Sequence, residues 1–327
     1  MKKNSCLLNS LTLLAFGICA PTLSINAHEE SWPLEETLLD NHSNPRFDNL
    51  ISNVNQPLPT PQSATIEQLK AQSLLEAYPK HIQKIDLQSN TITYTNGRSE
   101  VYDVHPGLRS PTQMIDNPDI QDQFYFIYPD ACHSSWTPPL DFDPGRIRHE
   151  GMMNAIYGET ESRVVGQLTN VSWVAGQQLK ASKVLGVNTL FSGLARTFSA
   201  PNKQSLLKYV RNAAGTYNRR FIAGTRRLSS HSWGNAIDIN LDYSDYWKWD
   251  FDSSGRFTFK NRIPCEVATE FEKLGFAWGG RWHHYDTMHF EYRPELFIFA
   301  RKMKATFGAS LKEVAQSNGI LYVEEAQ

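Results

Sequence analysis

One stretch decides the fold of this chain: Ser229-Ser230-His231-Ser232-Trp233-Gly234-Asn235-Ala236-Ile237-Asp238-Ile239-Asn240. Residues 236–241 alternate as in a strand, with the isoleucines on one face and Asp238 on the other. His231 lies seven residues before Asp238, and Gly234 permits a turn that would bring His231 back towards Asp238. One imidazole and one carboxylate are good ligands for a borderline metal such as zinc.

A second stretch supplies another imidazole and another carboxylate: Trp278-Gly279-Gly280-Arg281-Trp282-His283-His284-Tyr285-Asp286-Thr287-Met288-His289-Phe290-Glu291. His289 lies in a strand-like run over 288–292, and Asp286 lies three residues earlier, at the end of a loop. This spacing can place a carboxylate beside a metal without making it a ligand. Three protein ligands with an open position are typical of a catalytic zinc site, where water is acidified to a pKa of about 7.

Other histidines compete for the role of ligand. A histidine near an aspartate is more often an ordinary hydrogen-bonded pair than a metal site. His283 and His284 lie in the loop, outside the strand register, and are therefore weaker candidates than His289. Six further histidines have no comparable partners and are interpreted as surface or loop residues: His28, His42, His81, His105, His133 and His149.

The two stretches together resemble a known family. Ser229-x-His231-x-x-Gly234-x-Ala236-x-Asp238 is similar to the motif of zinc D-alanyl-D-alanine carboxypeptidases and of the related L-alanyl-D-glutamate endopeptidases. The later Trp278-Gly279-Gly280 and Asp286-x-x-His289-Phe290 resemble the endolysin-type branch. The resemblance covers about residues 150–296 and implies a hedgehog/DD-peptidase-like fold.

The resemblance also implies roles for individual residues. The ligands of one Zn²⁺ would be His231, Asp238 and His289. Asp286 would be the general base, and Arg196 would polarise the scissile carbonyl, as the fixed charge of an arginine allows. Three residues would lie around the metal ligands or touch substrate: Ser229, Trp282 and Gln204. Manganese or cobalt could occupy the same ligand set.

The rest of the pattern predicts an α+β fold, a small antiparallel sheet flanked by helices. Apolar spacing predicts helices over 67–80, 163–185, 202–213 and 265–274. β-rich runs predict strands over 188–192, 236–241 and 288–292. Asn96-Gly97 between two β-rich runs predicts a hairpin in the N-terminal extension. The proline-rich residues 105–147 predict a wrapping segment without regular structure.

Four regions are expected along the chain. Residues 1–27 resemble a signal peptide, with Lys2 and Lys3 before an apolar stretch that is too short to span a membrane. We therefore expect export to the periplasm or the medium, with no transmembrane segment in the mature chain. The other regions are an extension over 28–147, a zinc metallopeptidase domain over 148–300 and a C-terminal tail or helix over 301–327. Cys132 and Cys265 could form a disulfide or remain separate thiols.

The composition of the chain excludes two classes of protein. The chain has 40% hydrophobic residues and a net charge of −2, so it is neither a disordered protein nor one with a basic surface for nucleic acid. The leading hypothesis is a monomeric zinc peptidase acting on peptidoglycan stem peptides, with an endopeptidase favoured over a D-alanyl-D-alanine carboxypeptidase. The alternatives are a non-catalytic, zinc-containing module that binds the cell wall or a partner, and a toxin delivered to competing cells.

Overall fold

The computed structural model describes residues 65–105, 107, 109–252 and 256–323. The predicted signal peptide and the first part of the extension lie outside the described residues. Among the described residues, no helix is both long enough and apolar enough to cross a lipid bilayer.

The extension begins with a helix and a three-stranded sheet. Helix α1 (Ile66–Ala77) starts at a capping box made by Thr65 and Gln68, which satisfies two backbone N–H groups. Strands β1 (Ile82–Asp86), β2 (Thr91–Tyr94) and β3 (Ser99–Val101) then pair antiparallel in that order. The predicted helix over 67–80 and the predicted hairpin at Asn96-Gly97 are confirmed.

The segment that follows is mostly irregular, as the proline content predicts. It contains the short helix α2 (Pro111–Asp116) and a 3₁₀ turn over Gln121–Phe124. Helix α3 (Glu150–Tyr157) follows this irregular segment.

The predicted helix over 163–185 is wrong beyond its first residues. Helix α4 (Glu161–Gln167) gives way to a hairpin of β4 (Leu168–Ser172) and β5 (Gln178–Ser182). Val171 lies opposite Leu179 across this hairpin, and both are buried. The apolar spacing fits either structure, and the cross-strand pairing decides between them.

The predicted strand over 188–192 is also wrong, because this run lies within helix α5 (Val187–Ser199). The buried residues of α5 recur at helical spacing over the full thirteen residues: Val187, Leu190, Phe191, Leu194, Ala195 and Phe198. A five-residue window was too short to reveal that period. The predicted helix over 202–213 is partly correct: a 3₁₀ helix (Pro201–Leu206) leads into α6 (Leu207–Val210).

A four-stranded antiparallel sheet forms the centre of the molecule. Its strands are β6 (Ala213–Gly215), β7 (Ala236–Asn240), β8 (Phe276–Trp278) and β9 (His289–Tyr292), in the order β6-β7-β9-β8. Helix α7 (Cys265–Glu272) confirms the predicted helix over 265–274. Helices and small antiparallel sheets together confirm the α+β class.

One face of this sheet is apolar and covered by helices. Phe290 of β9 stacks on Phe271 of α7, with 4.0 Å between the ring centroids. Phe191 of α5 stacks on Phe276 of β8 at 5.1 Å. Because side chains alternate along a strand, the neighbours of Phe290 face the other side of the sheet. That side carries the polar site.

The last helices close the fold onto the extension. Helix α8 (Pro294–Phe307) packs on α1, and Tyr78 donates a hydrogen bond to Glu295 Oε2 at 2.5 Å. Helix α9 (Leu311–Ser317) follows, and a parallel bridge then pairs Leu321 with Phe126. One hydrophobic cluster includes apolar residues from Ile66 to Ile320.

A disulfide also joins the extension to the helical layer. Cys132 bonds to Cys265, the first residue of α7, with 5.3 Å between the Cα atoms. Of the two alternatives that the sequence left open for these cysteines, the structure contains the disulfide.

Candidate metal centre

The register of the central sheet brings the predicted ligands together. Asp238 of β7 lies directly opposite His289 of β9, and Asp238 Oδ1 is 3.0 Å from His289 Nδ1. His231 lies on a 3₁₀ turn (Ser230–Trp233) just before β7, with its Nε2 atom 3.1 Å from Asp238 Oδ1. His231 Nε2 and His289 Nδ1 are also 3.1 Å apart. The structure therefore places the three predicted ligands in one cluster.

Gly234 makes the turn between His231 and Asp238 possible. Its φ of +67° lies in the left-handed region, and a Cβ atom there would lie 2.6 Å from Leu168 Cδ2. The carbonyl of Gly234 accepts a hydrogen bond of 2.9 Å from the Ser182 amide of β5. The β4–β5 hairpin therefore packs so closely against the turn that only glycine fits.

The outer nitrogen of each histidine has a hydrogen-bond partner. His231 Nδ1 donates to the carbonyl of Thr216 at 2.7 Å, which leaves the lone pair of the neutral ring on Nε2. His289 Nε2 lies 3.1 Å from Glu291 Oε2 and 3.1 Å from Ser230 Oγ, which leaves the lone pair on Nδ1. In its neutral form, each ring would therefore direct its unprotonated nitrogen towards Asp238.

Glu291 is itself held in place by two arginines. Arg148 Nε donates to both carboxylate oxygens at 2.8 Å, and Arg293 Nη1 donates to Oε1 at 3.1 Å. Burial raises the pKa of Glu291, but Arg148, His289 and Arg293 outweigh that effect and hold its pKa well below the ordinary value. Glu291 therefore stays ionised, and its carboxylate accepts the hydrogen on His289 Nε2.

The three ligand groups perturb one another in the absence of metal. Burial raises the pKa of Asp238, but His231 and His289 outweigh this and keep that pKa far below its usual range. Burial lowers the pKa of His289, whereas its hydrogen bonds to Asp238 and Glu291 raise it to about 10. Without metal, His289 is therefore protonated and shared between the carboxylates of Asp238 and Glu291, and a bound cation would take the place of the proton on Nδ1.

Asp286 lies beside this cluster with one oxygen buried. Its Oδ1 atom has no hydrogen-bond partner among the described residues. Burial raises the pKa of Asp286 to about 6, with charges on the histidines lowering it and Asp238 raising it. Gly279 lets the loop approach this residue, because a Cβ there would lie 2.3 Å from the carbonyl of Asp286. Close packing against Asp286 therefore requires glycine at position 279 of the Trp278-Gly279-Gly280 stretch.

The donor set fits zinc. Two neutral imidazole nitrogens and one carboxylate oxygen converge within 4.8 Å of one another, and zinc prefers these ligand types. A carboxylate behind a ligating histidine, as Glu291 stands behind His289, is the usual surrounding of such a site. The orphaned Asp286 oxygen adds an acceptor that the protein itself leaves unused.

Two predicted site residues lie elsewhere. Arg196 is exposed in the last turn of α5, which packs on the apolar face of the sheet, opposite Asp238 and His289. Gln204 follows on the exposed 3₁₀ helix and bonds to the carbonyl of Ser199. The structure does not bring either residue to the metal ligands, because the strand predicted before Arg196 is a helix on the other face.

The remaining predicted residues lie near the cluster. Trp282 is buried, with its ring centroid 5.7 Å from that of His289. Ser229 is buried at the start of the 3₁₀ turn, but the hydroxyl beside His289 belongs to Ser230. Glu291 was not among the residues predicted from the sequence, although it follows His289 by two residues in a strand and so shares its face.

Two other arginines lie on the side of Asp286. The Arg146 guanidinium is 5.6 Å from the Trp282 ring centroid. Tyr246 pairs with Asp286 in an isolated antiparallel bridge. Burial raises the pKa of Tyr246 and the Asp286 charge raises it further, whereas Arg146 and Arg220 lower it. Arg146 and Arg220 are therefore close enough to Tyr246 to influence its pKa, whereas Arg196 lies on the opposite side of the sheet.

Comparison with known proteins agrees with this geometry. A family model described as D-alanyl-D-alanine carboxypeptidase matches residues 223–292, which include all three predicted ligands and Asp286. No curated protein and no solved structure matches the chain. The family match supports a peptidase, a hydrolase of peptide bonds, and it covers the segment that forms the cluster.

Proposed function

We propose that this protein is an exported zinc peptidase that hydrolyses amide bonds in peptidoglycan stem peptides. The observation that carries the proposal is the convergence of three ligand atoms beside a buried carboxylate oxygen without a hydrogen bond. The peptidase family match over the same residues supports it.

His231, Asp238 and His289 would hold the metal. When bound, Zn²⁺ supplies a Lewis acid that polarises the scissile carbonyl and acidifies water. Asp286 Oδ1 accepts the proton of the attacking water and returns it to the leaving amine. A carboxylate whose pKa burial raises to about 6 suits both steps, since it is ionised near neutral pH and is still a useful acid.

Arg146 is the better candidate for the cationic role that the resemblance gives to Arg196. Its guanidinium lies near the ring of Trp282, which in turn neighbours His289. The charge of Arg146 also lowers the pKa of Asp286, so Arg146 is close enough to interact electrostatically with the proposed base. A permanent charge there stabilises the oxyanion that forms as the amide is attacked.

The bond that is cleaved separates two candidate functions. The Trp-Gly-Gly stretch and the Asp286-x-x-His289 spacing resemble endolysin-type endopeptidases, so an endopeptidase is favoured. The matching family model is described as a carboxypeptidase, which keeps removal of a terminal D-alanine as the second candidate.

Export is supported by two features. The first residues resemble a signal peptide, and Cys132 and Cys265 form a disulfide. Structural disulfides persist in oxidising compartments such as the periplasm or the medium.

Digestion of purified peptidoglycan by the full mature chain tests the function. Mass spectrometry should show new fragments that disappear with a chelator and return with zinc. The fragment masses distinguish an internal cut from the loss of one alanine. Binding to the wall with no fragments under any metal condition would refute the peptidase and favour a binding module.

A further inference from the structure

Two loops bring together a second set of possible metal ligands. Asp141 comes from the extension, and His283 and His284 come from the loop before Asp286. One ligand atom from each of the three residues lies within 4.8 Å of the others. Two imidazoles and one carboxylate suit zinc or another borderline transition metal. We propose that Asp141, His283 and His284 bind a second transition-metal ion, which joins the extension to the loop that carries Asp286.

Hydrogen bonds from two backbone amides hold the two loops together without the metal. The amide of His283 donates to the carbonyl of Phe142 at 2.8 Å. The amide of His284 donates to Asp143 Oδ1 at 2.9 Å. Asp141, one residue before the first of these bonds, has a left-handed φ of +56°. The ligand residues are therefore positioned by main chain that is already fixed, which lowers the entropic cost of binding.

The hydrogen bonds of His284 leave one nitrogen available. Its Nδ1 atom forms a hydrogen bond of 2.7 Å with Asp143 Oδ2. Asp143 is buried, and the same Oδ2 atom lies 3.6 Å from Arg146 Nη1. The lone pair of the neutral ring is then on Nε2. This is the carboxylate–histidine arrangement found behind metal ligands, and it repeats the pairing of Glu291 with His289.

His283 has an unsatisfied nitrogen. Its Nδ1 atom is buried and has no hydrogen-bond partner among the described residues. It lies 3.7 Å from Asp141 Oδ1, too far for a hydrogen bond and suitable for two atoms that share a cation. A buried nitrogen without a partner is costly, so a cation between it and Asp141 would relieve that cost.

The surroundings permit entry of an ion from one side. The ring of Phe257 lies 5.0 Å from that of His283, and the ring of Trp247 lies 4.7 Å from that of His284. The side chain of Asp141 is 55% exposed, so the cluster is open to solvent at this ligand. Aromatic rings on one side and water on the other strengthen the electrostatic attraction without blocking access.

Metal counting on the full chain tests this site, whether or not the protein cleaves peptides. Chelated and dialysed protein would be titrated with Zn²⁺, and bound metal would be measured by equilibrium dialysis with mass-spectrometric detection. We expect two equivalents in the wild type. His231→Gln should keep the second equivalent, and Asp141→Asn and His283→Gln should each weaken it by about tenfold or more.

Two controls make each result decisive. His81→Gln removes a histidine outside both clusters and should keep both equivalents. The double variant His231→Gln/His283→Gln should bind none tightly. Asp141 is exposed, so Asp141→Asn should fold, with thermal melting of the chelated protein as the check. The proposal would be overturned if the wild type bound one equivalent that His231→Gln lost and His283→Gln kept, or if the second equivalent survived in either Asp141→Asn or His283→Gln.

Discussion

Asp286 leaves a buried carboxylate oxygen without a hydrogen bond, which is costly unless that oxygen is used. Asp286→Asn keeps the shape of the side chain but removes a proton acceptor. We expect the variant to retain metal and to lose about 10²- to 10⁴-fold in turnover. Metal content and the rate of fragment release would be measured together.

A matched control for this variant is Asp242→Asn, which changes an exposed aspartate near β7. It should leave both metal content and turnover unchanged. Full activity in Asp286→Asn would eliminate Asp286 as the base. Loss of metal in Asp286→Asn would make it a ligand instead.

Glu291 links the cluster of predicted metal ligands to the half-buried Arg148 and the buried Arg293, so its charge serves two purposes. Glu291→Gln leaves Arg148 and Arg293 without their shared carboxylate. We expect a loss of about 3–5 kcal/mol in the free energy of unfolding, and a metal affinity about 10- to 100-fold weaker. Urea unfolding of the chelated protein and zinc titration separate the two effects.

Glu159→Gln, at an exposed position, is the control for Glu291→Gln and should change neither quantity. If Glu291→Gln kept full stability, Arg148 and Arg293 would have to find other partners. If it kept full metal affinity, the hydrogen bond to His289 would have no part in orienting the ring.

At the scale of elements, the turn between the 3₁₀ helix and β7 sets the position of His231. Gly234→Ala places a Cβ 2.6 Å from Leu168 Cδ2 at a left-handed φ. We expect a loss of about 1–2 kcal/mol from the backbone conformation, and a further loss of about 1–3 kcal/mol from the clash. Urea unfolding measures the sum.

Gly176→Ala provides the comparison, because Gly176 has a φ of +76° and no atom within 4 Å of its would-be Cβ. This variant should lose only the backbone contribution. Equal losses in the two variants would mean that the hairpin does not constrain the turn.

The same elements show what the sequence could and could not predict. Two motifs led to the three predicted ligands that the fold brings together, since Asp238 and His289 lie on strands whose alternation is visible in the sequence. The helix predicted over 163–185 was wrong because the β4–β5 hairpin depends on cross-strand pairing. The position of Arg196 away from the predicted ligands was hidden for a related reason: its role came from the resemblance, and the position of α5 on the opposite face depends on packing between distant segments.

Contacts between residues that are distant in the chain could likewise not be predicted from the sequence. Arg148 and Glu291 meet only in the folded molecule, so no local pattern could pair them. The position of Glu291 beside His289 could have been predicted, because the spacing of two residues places both on one face of β9.

At the scale of the whole molecule, the disulfide joins the extension to α7 across a separation of 133 residues. Replacing both cysteines with Cys132→Ser/Cys265→Ser opens that loop. We expect a loss of about 2–5 kcal/mol in stability, since the unfolded chain regains its freedom. Thermal unfolding with and without a reductant measures it.

The reductant should shift the melting temperature of the wild type and leave that of the double variant unchanged. Peptide cleavage at 25 °C should persist in the double variant, because neither cysteine belongs to the metal cluster. Identical melting of the reduced and oxidised wild type would show that packing alone fixes the extension.

The bridge between Phe126 and Leu321 has a consequence for synthesis. A ribosome that has made the chain as far as Tyr292 has made every predicted metal ligand, but neither α8, which contacts Tyr78, nor Leu321, the partner of Phe126. A nascent chain at that stage holds its ligands on an incomplete core. We therefore expect the peptidase to gain activity only after the segment through Leu321 has been made and has packed against Phe126.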